Sequence, residues 1–178
     1  MEFFILILAS LYFALPAFFA NMAPIVFKNF FKFLAKPVDL GKKFRGKRIL
    51  GDNKTFRGFF VGILIGILVA YIQYIINFPI NITNYSNWLL IGFLLSFGAL
   101  FGDSFESFIK RQKGIKPGER FFLWDQIDSV MGALVLAGFL IFPEVRFHAV
   151  LILLVLTPIL TIIINHLAFY TGLRKEKW

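Results

Sequence analysis

Half of the carboxylates in the chain lie in one short stretch, residues 103–128, between two long apolar runs. Of the 10 Asp and Glu residues in the 178-residue sequence, this stretch holds Asp103, Glu106, Glu119, Asp125 and Asp128. Carboxylates are hard oxygen ligands for Mg²⁺, and the Lys and Arg side chains interspersed with them neutralise phosphate oxygens. The stretch therefore predicts a site for a divalent cation that carries a polyphosphate. A charged connector between two membrane spans is the alternative interpretation.

Helical spacing assigns these residues to shared faces. If residues 98–111 form a helix, separations of three and four residues align Asp103, Glu106, Ser107, Lys110 and Arg111 on one side. Asp125 and Asp128 are three residues apart at the head of the next apolar run, so they share a face as well. We expect the two carboxylate-bearing helix ends, joined by a basic loop, to form the site together.

The composition is that of an integral membrane protein. Hydrophobic residues make up 58% of the chain and aromatic residues 19%, above the usual share for a soluble domain. The absence of cysteine excludes a disulfide framework and a thiolate metal site. The net charge is +9, and the charged residues lie in short segments between apolar runs. That distribution favours anionic head groups and phosphates as partners, rather than nucleic acid.

Five apolar runs are long enough to cross a bilayer, so the sequence predicts an all-α membrane protein with a single domain over residues 1–178. The predicted spans are about 3–20, 58–77, 88–103, 124–142 and 150–170. Pro16 and Pro24 are expected to kink or end the first span. Gly58, Gly62 and Gly66 repeat every four residues, which indicates a face for close helix packing.

The basic residues predict the orientation in the cell membrane. Of the 19 Lys and Arg residues, 18 fall in segments 28–57, 104–123 and 171–178, and Arg146 is the exception. The excess of Lys and Arg on cytoplasmic loops then places the N-terminus outside and the C-terminus in the cytoplasm. Both charged loops, 28–57 and 104–123, would face the compartment that holds nucleotides.

The loop before the second span also carries a candidate anion site. Its Gly and Lys residues do not have the spacing of a Walker A motif, because Asp52 and Asn53 precede Lys54 and Thr55. Thr55 can cap the following helix, whose free N–H groups would lie beside Lys54 and Arg57. Earlier in the loop, Lys residues recur every four positions opposite Phe residues over 27–36. This pattern fits either an interfacial amphipathic helix or a frayed basic helix end.

Asn165 and His166 are a polar pair near the end of the last span. Polar residues inside a span are candidates for function, whereas a His one turn from a helix end is also typical of a hydrogen-bonded interface residue. Both interpretations stay open for this pair.

Three motifs resemble those of the phosphatidate cytidylyltransferases. Ser107-x-x-Lys110-Arg111, followed by Asp125-Gln-Ile-Asp128-Ser, resembles the signature of that family, and Lys54-Thr55-x-x-Gly58 resembles its Lys-Thr-x-x-Gly element. Gln126 stands where the family usually has Arg, the connecting loop lacks His-Gly-Gly, and the chain is shorter than the bacterial enzymes. These departures match the archaeal branch, the CDP-archaeol synthases. Segments 50–58 and 102–111 are similar to the Leu-Gly-Asp-x-Lys-Thr-x-Arg-Gly and Gly-Asp-Ser-x-x-Ser-Phe-x-Lys-Arg elements of that branch.

The resemblance implies a reaction of CTP with an unsaturated archaetidic acid, 2,3-bis-O-geranylgeranylglyceryl phosphate, to give the CDP-activated ether lipid and pyrophosphate. Mg²⁺, as one or two ions, would be held by Asp103, Asp125 and Asp128, which with Lys110 and Arg111 would form the catalytic set. The residues that would bind CTP and the lipid phosphate are Asn53, Lys54, Thr55, Arg57, Ser107, Lys110, Arg111 and Gln126. Glu106 is left open, since it could instead pair with Lys110 at i+4.

Other functions predict different observations. A CDP-diacylglycerol synthase would act on ester lipids, and a CTP-dependent polyprenol kinase would release CDP rather than pyrophosphate. A transporter or channel predicts polar residues near the middle of the bilayer, whereas these carboxylates cluster at helix ends. A basic lipid-binding scaffold gives no reason for three inward carboxylates. The oligomeric state stays open.

Overall fold

The computed structural model describes residues 2–116, 119, 121, 124–141 and 147–172. Its five α-helices are α1 (Glu2–Val26), α2 (Phe56–Ile76), α3 (Trp88–Lys113), α4 (Trp124–Ile141) and α5 (Phe147–Tyr170). In the α1–α2 loop, two short antiparallel strands, β1 (Lys43–Phe44) and β2 (Lys47–Arg48), form a hairpin. Short 3₁₀ turns occupy Lys32–Leu34 and Tyr85–Asn87. The helical membrane fold predicted from the sequence is confirmed.

Among the described residues, four helical segments are long and apolar enough to cross a membrane: Glu2–Val26, Phe56–Ile76, Tyr85–Lys113 and Phe147–Tyr170. Their outward faces carry large exposed apolar side chains, among them Leu64, Ile75 and Val155. Such faces suit contact with lipid. The predicted fourth span corresponds to α4, and its crossing of the membrane stays a prediction.

α1 continues through both of its prolines to Val26. Neither Pro16 nor Pro24 ends this helix, so that part of the expectation is wrong, and a kink at either proline stays a prediction. Neighbouring helices make a proline tolerable inside a membrane helix, because local adjustment can satisfy the backbone groups that it frees. Pro16 is buried in α1, and its carbonyl oxygen lies against Gly66 of α2.

Small residues bring the helix backbones close together. A Cβ added to Gly62 would lie 2.8 Å from both the carbonyl oxygen of Ala20 and the side chain of Leu100. α2 therefore packs between α1 and α3 along its glycine face, as the spacing of the glycines predicted. The buried core joins residues from α1, α3, α4 and α5, including Phe13, Leu95, Ala99, Val130 and Leu153.

The α1–α2 loop starts as a turn rather than as the amphipathic helix that one interpretation of the sequence predicted. Phe31 has a left-handed backbone conformation, and only a 3₁₀ turn follows it. At its base the loop closes on itself: the N–H of Val38 donates to the carbonyl of Lys54 at 2.8 Å, and that of Phe56 to the carbonyl of Lys36 at 3.0 Å. This closure holds the start of α2 beside residues 36–38.

Several residues used in the charge count lie outside the described part of the chain. They are Arg120, Arg146 and the basic residues of the C-terminal segment, Arg174, Lys175 and Lys177. The predicted end of the fourth span at residue 142 lies outside it too.

Candidate active site

The site is built on the polar face of α3. α3 continues through Lys113 and ends at Gly114, which has the left-handed conformation that glycine adopts without strain. The N–H of Gly114 donates to the carbonyl of Arg111 at 3.1 Å, and that of Ile115 to the carbonyl of Lys110 at 3.0 Å. The predicted helix over residues 98–111 is confirmed. Its basic last turn also complements the negative end of the helix dipole.

α4 packs so closely against α3 that the backbones of the two helices are in contact. A Cβ on Gly102 would collide with the backbone carbonyl of Asp128, and a Cβ on Gly132 would collide with the carbonyl of Gly98. Only glycine permits this approach. The contact places Asp128 next to the residues that follow Gly102 on α3.

Three carboxylates meet where the two helices touch. Oxygen atoms of Asp103, Glu106 and Asp128 all lie within 4.8 Å of one another. Glu106 is buried, and Asp128 accepts a hydrogen bond from the N–H of Ser129. Ionised carboxylates at this separation repel one another unless a cation lies between them. Within the described ranges this is the one group of His, Asp and Glu side chains arranged to share a metal ion.

Asp125 lies beside this cluster and forms an ion pair with Lys110. Its Oδ1 is 2.7 Å from Lys110 Nζ, and its Oδ2 accepts from the N–H of Phe121 at 2.9 Å. Lys110 Nζ is also 3.0 Å from Glu106 Oε1, so the i+4 pair left open by the sequence is present. The structure thus brings two of the three predicted metal ligands together with Glu106, and it holds Asp125 against a lysine.

The α1–α2 loop delivers a second basic residue to the cluster. Lys54 Nζ lies 2.5 Å from Asp103 Oδ2, across 49 residues of sequence. Thr55 Oγ1 accepts from the N–H of Gly58 at 3.1 Å, which confirms the predicted helix cap. Arg57 does not line the cavity that holds the cluster, and its guanidinium donates to the backbone carbonyl of Lys28.

A cavity of about 460 Å³ opens between the loop and the ends of α1, α3, α4 and α5. Every predicted site residue except Arg57 lines it: Asn53, Lys54, Thr55, Asp103, Ser107, Lys110, Arg111, Asp125, Gln126 and Asp128. The Nε of Arg111 is buried there without a hydrogen-bond partner. Apolar residues of α1 and α5, including Phe18, Met22, Ile25 and Ile162, line the same cavity.

Three further polar residues of the cavity were missed by reasoning from the sequence. Asn21 of α1 donates to Ser129 Oγ of α4 at 3.4 Å, and the hydroxyl of Thr157 on α5 is buried without a partner. A polar residue inside an apolar run is the available signal. No local spacing relates these three, because they stand on different helices. Of the polar pair near the end of α5, Asn165 lines the cavity, whereas His166 Nδ1 lies 2.8 Å from the carbonyl of Ile162 within its own helix.

Comparison with known proteins gives a consistent match over the whole length. The family model of the CarS-like CDP-archaeol synthases matches residues 3–178. A CDP-archaeol synthase of Methanococcoides burtonii is 36% identical over 180 residues, covering 92% of this chain and 99% of that protein. A CDP-archaeol synthase of Methanococcus maripaludis is 38% identical over 185 residues, covering 100% of both chains.

A solved structure agrees with the fold. It is described as an intramembrane enzyme for archaeal membrane lipids biosynthesis, and it superposes with a TM-score of 0.76 at 28% sequence identity. The superposition covers 89% of this chain and 94% of the other.

Proposed function

Because the chain belongs to the CDP-archaeol synthase family, we propose that it condenses CTP with an unsaturated archaetidic acid to give CDP-archaeol and pyrophosphate. A phosphate oxygen of the lipid forms a bond to the α-phosphorus of CTP. The bond from that phosphorus to the oxygen bridging the β-phosphorus breaks, and pyrophosphate leaves with the electron pair. The protein is thus a membrane transferase of archaeal lipid biosynthesis.

The observation that carries the proposal is one cavity with two kinds of wall. Its charged wall combines the carboxylate cluster with Lys54, Lys110 and Arg111, which suits the triphosphate of a nucleotide. Its apolar wall, from α1 and α5, suits the isoprenoid chains of a lipid. A substrate pair of this kind needs both walls to lie within reach of one phosphorus atom.

Dependence on Mg²⁺ is part of the proposal. The donor set of Asp103, Glu106 and Asp128 fits that ion, because three carboxylates supply hard oxygens and a bound cation relieves their mutual repulsion. We assign the ion to these residues, with Asp125 as the adjacent carboxylate that orients Lys110. When bound, Mg²⁺ would neutralise phosphate oxygens and so favour departure of pyrophosphate.

The protein's own side chains act mainly by orienting the substrates and neutralising the charge of their phosphates. A phosphate monoester is largely dianionic near neutral pH, since its second pKa is about 6, so the lipid nucleophile needs no general base. Lys110, held by Glu106 and Asp125, presents a fixed ammonium group to the phosphates. The guanidinium of Arg111 has an unpaired Nε to donate to a phosphate oxygen. Orientation and charge neutralisation then account for catalysis, as in other phosphoryl-type transfers.

We propose that the site faces the cytoplasm, with the N-terminus outside. The supporting observation is that the two basic segments predicted to be cytoplasmic meet at the same end of the bundle. Lys54 contacts Asp103, and Lys47 donates to the carbonyl of Gln112 at 2.6 Å. A reporter placed at Asn84, at the other end, should be extracellular. A cytoplasmic reporter there would contradict this orientation.

Labelled CTP distinguishes the proposed reaction from a kinase. Purified protein is incubated with Mg²⁺, the ether lipid phosphate, and CTP labelled at either the α- or the γ-phosphorus. The synthase should move only the α-label into lipid and release pyrophosphate. Transfer of the γ-label, with release of CDP, would identify a CTP-dependent kinase instead. Glu2→Gln, at the far end of α1 from the cavity, serves as a matched carboxylate control and should keep full turnover.

Lipid preference is a second measurement on the same preparation. We expect ether-linked isoprenoid substrates to be favoured over ester-linked acyl substrates. Mismatches in an apolar pocket discriminate by only about 1–3 kcal/mol per methylene-sized change, so the preference should be graded. Equal turnover of both lipids under matched detergent conditions would favour an enzyme that also serves ester lipids.

A further inference from the structure

The α1–α2 loop is folded around one buried carboxylate, Asp39. The side chain of Asp39 is 1% exposed. Its Oδ1 accepts from the N–H of Gly41 at 3.0 Å and from Arg48 Nη2 at 2.8 Å. Its Oδ2 accepts from Arg48 Nε at 3.2 Å and from the N–H groups of Leu50 and Gly51 at 2.9 and 3.0 Å. Five donors saturate a group that has about four lone-pair sites.

Asp39 does not line the cavity, so it is not placed to touch a substrate. It does hold the chain that leads to the cavity. Leu50 and Gly51, whose N–H groups donate to it, both line the cavity, as do the residues that follow, Asp52, Asn53 and Lys54. Gly51 has a positive φ of 92°, which lets the chain turn at this point. The position of Lys54 against Asp103 therefore depends on a turn that Asp39 fixes.

Arg48 connects the same carboxylate to α3. Its guanidinium contacts Asp39 through two nitrogens, and Nη2 also lies 2.9 Å from Oδ1 of exposed Asp52. Its backbone carbonyl accepts from Gln112 Nε2 at 3.3 Å, next to Arg111. Burial disfavours the charged form of Asp39, but the guanidinium of Arg48 and three backbone N–H groups more than offset this and hold the pKa of Asp39 well below its usual range. The carboxylate is therefore ionised at neutral pH.

We propose that Asp39 is a positioning residue for nucleotide binding: through Arg48 and the 50–51 turn, its carboxylate holds Asn53 and Lys54 at the mouth of the cavity for the triphosphate. This inference rests on the proposed function for the identity of the ligand. The fold of the loop itself does not depend on that identity, which allows the two to be tested separately.

The variant Asp39→Asn tests the loop without any substrate. The amide has the same shape, but it replaces one acceptor oxygen with an NH₂ group, so donors that Asp39 satisfied lose their partner. Trypsin cleaves after the basic residues of the hairpin at 42–48, and mass spectrometry locates the cuts. We expect cleavage there to be about tenfold faster in Asp39→Asn, because buried donors are left without a partner; tenfold corresponds to about 1.4 kcal/mol. Asp52→Asn removes the charge of the exposed partner of the same guanidinium, and its hairpin should be cleaved at the wild-type rate.

Kinetics then tests the consequence for the nucleotide. In the folded Asp39→Asn protein we expect KM for CTP to rise about tenfold, with KM for the lipid and kcat at saturating CTP within about twofold of the wild type. A general loss of folded protein would instead lower kcat and leave both KM values unchanged. If Asp39→Asn does not fold, Arg48→Lys keeps the charge, loses the two-nitrogen contact and should raise KM for CTP by a smaller factor.

The two hypotheses fail in different ways. Absence of CTP turnover by the wild-type protein overturns the proposed function, and the trypsin result still reports on the loop. Unchanged hairpin cleavage together with unchanged KM for CTP, in folded Asp39→Asn or Arg48→Lys, overturns the positioning role.

Discussion

In the described part of the chain, buried carboxylates occur at two places, Asp39 and the cluster around Glu106, and their surroundings are opposite. Asp39 is surrounded by donors: one guanidinium and three backbone N–H groups. Asp103, Glu106 and Asp128 face one another within 4.8 Å, and their basic neighbours are Lys54 and Lys110. The first arrangement is electrostatically complete within the protein. The second has an excess of negative charge at its centre.

The difference separates a structural carboxylate from a ligand-binding one. A carboxylate whose oxygens are all satisfied stabilises the loop that holds it, because removing it leaves donors without partners. A cluster of like charges destabilises the folded protein unless something positive binds. We therefore expect substitutions in the cluster to abolish activity without loss of stability. Substitution of Asp39 should do the reverse, reducing local order while sparing the chemical step.

The largest expected effect is that of Asp128→Asn. This change keeps the shape of the side chain but removes one charge from the cluster, so cation binding should be lost and turnover should fall by more than about 100-fold. Melting temperature without metal should stay equal or rise, because a repulsion is relieved. Turnover against Mg²⁺ concentration and a melting curve of the same purified protein measure both. Wild-type turnover of Asp128→Asn at ordinary Mg²⁺ would refute the assignment of this residue to the ion.

The second prediction concerns the helix contact that assembles the cluster. In Gly102→Ala, the new methyl group meets the backbone carbonyl of Asp128, and overpacking of this kind costs about 1–3 kcal/mol. We expect both a lower melting temperature and a loss of activity, since α3 and α4 must move apart. Gly58→Ala is the control for stability, because its added Cβ would lie 3.4 Å or more from its neighbours, and its melting temperature should stay close to that of the wild type. An active, fully stable Gly102→Ala protein would contradict the dependence of the cluster on this contact.

The smallest effect is a dependence of stability on acid pH, and it belongs to Asp39. The pKa of Asp39 in the folded protein lies below its ordinary value of about 3.9. Its contribution to stability is therefore present above that value and is lost as the pH falls toward the folded-state pKa. The difference in melting temperature between the wild type and Asp39→Asn should be constant from about pH 5 to 8 and should shrink below about pH 4. A difference that grows in acid would contradict the ionised state of Asp39.

Much of the site could be predicted from local pattern. The spacing from Asp103 to Arg111 is that of one helix face, and that face is what α3 presents. Thr55 precedes a helix and caps it. The motifs around Lys54 and Lys110 indicated the family that the comparisons support. Each of these inferences uses residues within about two helical turns of one another, where backbone geometry alone determines neighbours.

The partners of the charged residues could not be predicted in the same way. The sequence places two carboxylates, Asp125 and Glu106, near Lys110. In the structure Glu106 lies with Asp103 and Asp128, whereas Asp125 forms an ion pair with the lysine. Arg57 belongs to the same motif as Lys54, but its guanidinium donates to the carbonyl of Lys28. Asp39, one of two acidic residues in a loop of basic residues, gave no local signal of the donors that surround it.

The sequence by itself determined the membrane class, the helices, the polar face of α3 and the family, because apolar length, helical period and short motifs are properties of neighbouring residues. The tertiary structure alone decided which carboxylates meet, because the contact of Gly102 with Asp128 and the ion pair of Lys54 with Asp103 join segments far apart in the chain. The approach of α3 and α4 depends on the absence of side chains at Gly102 and Gly132. A substituent of a single carbon there would separate the charges on which the site depends.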